Sequence, residues 1–385
     1  MKSARRQLIF LWPYTEWGGA QVYCMAMIKL ARSDWDITVI MPRSSPAELV
    51  NIVEGLGAKV DHIDCALDLK PAGSIRRKLI RQKTRIATEI ESFRKLRGFD
   101  FKSVVFHIDF APWQSWILYS LLAARGAKVF VTMHNFFAKQ PQWREFVFRS
   151  RLQVLSRLSG FHIFASNKDT RNKLKGWVSS EFWSNIPVTY TCVDRVAVDT
   201  IEREGADRGA ARKKFDIPSD KFIVLTVGQF VDRKGRWVLL DAARNAARID
   251  KEIVFVWVMP TLPDVEDAER IRSFGLEENF QPVLSKSLGD DRLDVLRFFK
   301  TADMFALPSY IEGLPIAILE AMALGLPTVS TRVYAIPEAV KHEETGLLVD
   351  AGDSDGLCRA ILRLKNDRAH RLSTVKIFAR SLISL

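Results

Sequence analysis

Two glutamates eight residues apart, Glu312 and Glu320, flank the start of an apolar helical stretch in Leu307-Pro308-Ser309-Tyr310-Ile311-Glu312-Gly313-Leu314-Pro315-Ile316-Ala317-Ile318-Leu319-Glu320. Pro315 suits a first helical turn, Gly325 a C-terminal cap and Pro327 the stop beyond it. A helix starting just after Glu312-Gly313-Leu314 aims its free amides at an anion, while the two carboxylates can accept hydroxyl hydrogens. Phosphate on the amides, sugar hydroxyls on one Glu and ribose hydroxyls on the other would suit a nucleotide sugar. A carboxylate buried in an apolar helix needs a partner in any case.

Three further places could serve the same chemistry. Val227-Gly228-Gln229-Phe230-Val231-Asp232-Arg233-Lys234-Gly235 ends a strand in glycine and carries two cations to the next helix. Cations there suit a phosphate, although a solvated charged loop is the plainer reading. Gly18-Gly19, after the first strand, permits close backbone approach to a ligand, or simply a tight turn; it lacks the GxGxxG of a nicotinamide site. His134 ends the fifth strand, where crevice residues project, and His107 ends the fourth as a weaker candidate. The D-x-D strings at Asp34–Asp36 and Asp353–Asp355 read as a turn and a helix N-cap rather than metal sites.

The elements that must position these residues alternate along the chain. Strands are expected at 7–12, 36–41, 59–63, 103–107, 128–133 and 161–165, and again at 222–227, 253–259, 304–307, 328–331 and 347–349. Helical patterns lie between them, at 20–32, 75–97 and 113–125, then at 236–248, 264–274, 290–301, 315–324 and 355–364. Apolar strands alternating with helices mean parallel sheets covered on both faces. Two such series predict an α/β protein of two Rossmann-like domains facing a central cleft, with ligands at the carboxyl ends of the strands. The stretch 196–220, charged and poor in large apolar residues, reads as the linker, so the domains are expected at 1–195 and 196–385.

Composition narrows the function classes. Of 385 residues, 48% are hydrophobic and 26% charged, which excludes a disordered chain. No apolar run approaches the roughly 20 residues of a membrane span, and the N-terminal apolar run is too short for a signal peptide; a cytoplasmic protein is expected. The four cysteines are scattered, so neither a disulfide framework nor a zinc site is expected. The net charge of +12 is lopsided: residues 1–200 hold 30 Lys/Arg against 17 Asp/Glu, residues 201–385 hold 27 against 28. The first half should therefore meet something anionic. No nucleic-acid signature accompanies the charge. Residues 74–97 concentrate it, with nine Lys/Arg against two Glu, and Ile75, Leu79, Ile86, Ile90 and Phe93 share one helical stripe. That stripe either packs on the sheet with the cations solvated outside, or belongs to a helix whose basic face rests on an anionic membrane surface.

Taken together, these residues resemble glycosyltransferase family 4, of GT-B architecture. Glu312 to Glu320 resembles the family's E-x7-E signature, Gly228 to Gly235 its G-R-x4-K-G loop, and Gly18-Gly19 its N-terminal glycine loop. Leu307-Pro308-Ser309, Ile336-Pro337-Glu338 and Thr345-Gly346-Leu347-Leu348-Val349 fit as well. The resemblance implies a retaining, metal-independent, cofactor-free transferase using a nucleotide-diphosphate sugar and a glycan or lipid-linked acceptor. Lys234 would neutralise the diphosphate, Glu320 hold the ribose, and Glu312, Gly313 and Leu314 hold the donor sugar beside His134. A nucleotide-sugar epimerase is the alternative enzyme on this fold. Three departures stand out. Gln229 replaces the family's arginine, leaving Arg233 to compensate; Met259-Pro260-Thr261-Leu262-Pro263 replaces glycines expected beside the base; and the chain stops at Leu385, which implies a truncated last helix.

Overall fold

The computed structural model describes residues 5–15, 19–67, 75–137, 140–205, 207–289 and 291–367. Gly18 and the stretch from 368 to Leu385, where the truncation was expected, lie outside them. The chain divides into two compact units, Met1–Tyr190 and Thr191–Leu385; the division expected from sequence fell after Arg195.

The first unit is built from strands β1 (Arg6–Leu11), β2 (Trp35–Pro42), β3 (Lys59–Ile63), β4 (Val104–Ile108), β5 (Lys128–Met133) and β6 (Phe161–Ala165). Its helices are α1 (Gly19–Ala31), α2 (Ala47–Gly55), α3 (Ile75–Leu96), α4 (Trp116–Ala124), α5 (Gln142–Leu155), α6 (Lys168–Lys173) and α7 (Ser180–Ser184). The strands are all parallel, in the order β3-β2-β1-β4-β5-β6. Two apolar layers sandwich the sheet: one brings in Tyr23, Met25, Ile28, Leu49 and Val53 from α1 and α2, the other Leu96, Leu118, Leu122, Leu152 and Leu155 from α3, α4 and α5. Hence α3, α4 and α5 form one helical layer on one face.

The second unit repeats the scheme with β7 (Phe222–Val227), β8 (Ile253–Met259), β9 (Phe280–Leu284), β10 (Met304–Leu307), β11 (Thr328–Thr331) and β12 (Leu347–Val349). Helices α8 (Arg195–Arg203), α9 (Arg208–Lys214), α10 (Arg236–Ile249), α11 (Val265–Arg272), α12 (Arg292–Phe299), α13 (Ile316–Ala323), α14 (Ile336–Ala339) and α15 (Ser354–Asn366) complete it. The order β12-β11-β10-β7-β8-β9 is the same topology again, and β7 and β8 are buried at every position, as a sheet covered on both faces requires.

Three expectations need correcting. The stretch 196–220 is not a bare linker: Asp194 and Asp207 accept hydrogen bonds from Ala197 N and Ala210 N and so cap α8 and α9, and Val198 and Ile201 of α8 are buried in the second core. The strand β9, which contains Pro282, was not expected from the sequence. It sits at the sheet edge, paired with β8 alone, where the missing N–H costs little. Finally, the apolar stripe of α3 packs on the core only through Phe93, the side chain of Ile75 lying outside the described residues. The buried residues of that helix are Thr88, Ser92 and Leu96, whereas Leu79 is 61% exposed and Ile86 and Ile90 are also exposed.

Candidate active site

In both sheets the strand order reverses between the first and fourth strands, and ligands of open parallel sheets bind outside the carboxyl ends at that point. In the second unit the loops in question follow β7 and β10. Buried hydroxyls anchor the second of them: Thr226, Ser330 and Thr331 donate to the carbonyls of Ala306, Leu307 and Ser309 at 2.6–2.7 Å. The first leaves β7 through Gly228, whose φ of 145° a side chain would resist, and whose carbonyl accepts from Trp257 Nε1 at 2.8 Å. After a single 3-10 turn, Asp232–Lys234, it enters α10 through Gly235.

Gly235 has a φ of 71°, and a Cβ there would lie 1.9 Å from the Pro308 carbonyl oxygen. Only glycine lets the two loops meet this closely. Tyr310 N donates to Arg233 O at 2.8 Å and ties them again. The result is a cluster: the Lys234 ammonium pairs with Glu312, Arg233 Nη1 lies 3.5 Å from the same carboxylate, and Ser309 Oγ donates to it at 3.1 Å. Arg233 also donates to Gln229 Oε1 at 3.1 Å. Glu312 is only 7% exposed, so its two cations and hydroxyl offset the cost of burying a charge.

Pro315 caps α13 rather than entering its first turn, and Glu320 lies one turn further in, 5% exposed. Its carboxylate is paired with Arg292, at the start of α12. The two glutamates thus take different cations. Sequence reasoning missed Arg292 because 28 residues separate it from Glu320 and nothing in its own surroundings marks it. Gly313 and Leu314 bridge the loop to α13. Beyond β8, which ends in the buried Met259, residues 260–263 form a proline-bounded loop whose Leu262 is exposed.

In the first unit, Gly19 opens α1, and His134 follows β5. The half-buried His134 ring lies edge-on to Tyr23 of α1 at 5.1 Å, and its carbonyl accepts from Ser166 Oγ and Asn167 Nδ2. Burial depresses its pKa to about 4, so the imidazole is neutral at physiological pH and can give or take one hydrogen bond. His107 is fully inside, bonded through Nε2 to Thr132 Oγ1 at 2.9 Å, and burial lowers it to about 3. It reads as a core histidine satisfied through Nε2 alone, since its buried Nδ1 has no hydrogen-bond partner among the described residues. Asp109, at the end of β4, was not singled out from sequence; burial raises its carboxyl to about 6. The N-terminal Asp353 of α15 accepts from Gly356 N, a helix cap as expected.

The two Rossmann-like units define a GT-B protein. Its backbone superimposes on Anabaena Alr3699/HepE in complex with UDP-glucose with a TM-score of 0.72, at 16% identity, over 99% of this chain and all of that one. Residues 207–377, most of the second unit, match the family described as "Glycosyl transferases group 1". The chain is 32% identical over 160 residues to lipopolysaccharide core biosynthesis glycosyltransferase LpsE of Rhizobium meliloti, covering 42% of this chain and 44% of LpsE. It is 40% identical over 154 residues to amylovoran biosynthesis glycosyltransferase AmsK of Erwinia amylovora, covering 38% and 36%. These alignments span less than half the length of either relative. Among the described residues, no helix is long and apolar enough to cross a membrane.

Proposed function

We propose that the protein is a retaining glycosyltransferase of family 4, which moves a sugar from a nucleotide-diphosphate donor to a glycan or lipid-linked acceptor in cell-surface polysaccharide or glycolipid synthesis. The observation that carries this reading is the Lys234–Glu312–Arg233 cluster at the switch point of the second sheet. The named roles of LpsE and AmsK support the substrate class. In the resting protein Glu312 holds the two cations in place. On donor binding, the diphosphate exchanges for the carboxylate on Lys234 and Arg233, and Glu312 turns to the sugar hydroxyls with the amides of Gly313 and Leu314. Glu320 accepts from the ribose.

As the glycosidic C–O bond lengthens, negative charge grows on the diphosphate, and a preorganised ammonium stabilises that charge more than the ground state. Lys234 supplies this without a metal ion. The departing phosphate oxygen takes the acceptor proton on the same face, so configuration is retained and no carboxylate nucleophile is needed. His134, neutral, would steady a donor hydroxyl near the reacting carbon. Gly18 and Gly19 would admit the sugar close to the backbone, and Gln229, in place of a third cation, would accept from Arg233 as it does now. The protein would work in the cytoplasm, peripheral on the inner face of the membrane.

The test is turnover of UDP-, GDP- and ADP-sugars with and without simple acceptors, following product anomeric configuration by NMR. Transfer with retention supports the reading. Donor isomerisation without transfer would replace it with the epimerase, and inversion would remove the front-face mechanism.

A further inference from the structure

The helix α3 is turned the wrong way for a helix that exists to cover a sheet. Its core-facing positions are Thr88 and Ser92, both fully buried, with Leu96 one turn on. About 140° round the helix at 3.6 residues per turn lie Leu79, Ile86 and Ile90 of the apolar stripe, all exposed, while its Phe93 is half-buried against the core. Residues 76–83 are exposed at every position, two turns in which no residue is buried. On the apolar side the same spacing places Arg76, Lys83 and Arg94, while the helix's acids are engaged elsewhere: Glu89 with Ser115 Oγ and Arg85, Glu91 with the amides of Asp64 and Cys65.

The neighbouring helices continue the pattern. On α4, Ile117 is exposed; on α5, Trp143 is 68% and Phe146 71% exposed, opposite the buried Phe148 and Leu152. Nine of the seventeen large exposed apolar side chains of the described residues belong to α3, α4 and α5, which form one layer. Exposed apolar patches of this extent mark an interaction site. Arg149 on α5 is an exposed cation, whereas Arg144 donates to Gln140 Oε1 at 3.1 Å and lies over the buried Phe148.

We propose that the outer face of the α3–α4–α5 layer docks on an anionic phospholipid bilayer, with Trp143, Phe146, Leu79 and Ile86 entering the headgroup boundary and Arg76, Lys83 and Arg94 meeting the lipid phosphates. Charge complementarity selects this occupant: apolar side chains ringed by cations are the pattern of an interfacial helix, and aromatic residues sit at the headgroup level. The proposal gives a surface to the peripheral placement above, but it rests on exposure and charge in the first unit and would stand without the transferase assignment.

The experiment is co-sedimentation of the whole protein with vesicles of phosphatidylcholine alone and of equal parts phosphatidylcholine and phosphatidylglycerol, at low and high salt. Binding to the mixed vesicles only, weakened by salt, is expected. Replacing Arg76, Lys83 and Arg94 together with Gln should weaken it roughly a hundredfold, from the attraction of each cation for an anionic surface. Trp143→Ser with Phe146→Ser should weaken it independently of salt, and brominated lipids should quench tryptophan emission in the wild type but less in Trp143→Phe. These side chains are exposed, so thermal unfolding should be unchanged and confirms that each variant folds. Equal binding to neutral vesicles, or no loss in either variant, overturns the proposal. So does a dimer in sedimentation velocity that the Trp143/Phe146 variant abolishes while lipid binding is absent, since the face would then join two copies.

Discussion

The Lys234 ammonium and the Glu312 carboxylate form a buried ion pair that joins the loop after β7 to the loop after β10. The pair makes each residue's loss costly in two ways. Lys234→Ala leaves Glu312 to Arg233 and Ser309 and removes the charge proposed to meet the diphosphate. A fall in turnover of about 10²–10³ is expected, the usual cost of losing one group that stabilises developing charge. Steady-state kinetics on the folded variant checks it.

Gly235 should tolerate nothing larger. Gly235→Ala places a methyl carbon against the Pro308 carbonyl and fixes an L residue at a positive φ. The left-handed backbone alone costs about 1–2 kcal/mol. Urea unfolding should show a larger loss than that, and donor binding should go with it, because the loops that carry Lys234 and Glu312 must separate.

Glu320 and Arg292 form the second pair, and their expected signature differs. Glu320→Ala should weaken donor binding by about 1–3 kcal/mol, the range for hydrogen bonds to a charged group, and lower turnover much less. Donor titration against turnover separates the two effects. Equal losses in both would mean that Glu320 acts on the reacting sugar rather than on the nucleotide.

Much of this was legible in the sequence. Long apolar runs such as 253–259 could only be strands of a doubly covered sheet, and glycine, proline and Glu312 at their spacing marked the loop after β10 before any coordinates. Other features depended on partners far along the chain. Arg292 carries no local signal; β9 is a short edge strand interrupted by Pro282, without a strong apolar run; and α8 and α9 were hidden by charged composition, though Asp194 and Asp207 stood at their starts as caps. The stripe of α3 was visible, but periodicity fixes only that a helix has two faces. Which one meets the sheet was decided by the small buried Thr88 and Ser92.

Acid should act on the first unit through opposed groups. His107 and His134 stay neutral in the fold because burial lowers them to about 3 and about 4. The unfolded chain takes up their protons below about pH 6.5, so their contribution to stability falls as pH drops from there toward about 3. Asp109 runs the other way: raised to about 6 by burial, it ionises in the unfolded chain near pH 4, so stability is lost as pH rises from about 4 to 6. Asp109→Asn should therefore stabilise the protein near neutral pH, by up to ~3 kcal/mol, and gain nothing below about pH 4. Urea unfolding across that range would show it.

Asp303 locks the second unit. It accepts from Arg212 Nη2 at 2.6 Å and Ile223 N at 2.8 Å, and pairs with Arg208. Arg212 is itself buried, so Asp303→Ala strands a cation among Thr301 and Ser219 carbonyls. A loss of about 3–5 kcal/mol is expected in denaturant unfolding.

The central claim is that Lys234 and its neighbours hold the diphosphate of a nucleotide sugar, and calorimetric titration tests it most directly. UDP-, GDP- and ADP-sugars, together with the corresponding nucleoside monophosphates, would be titrated into the wild type and Lys234→Ala. The account predicts that one diphosphate sugar binds the wild type, that Lys234→Ala weakens it at least about tenfold, and that monophosphate binding changes little, since a charge-assisted hydrogen bond is worth about 1.5–3 kcal/mol. Equal affinity of wild type and variant for the diphosphate sugar, or equal losses for the monophosphate, would contradict it.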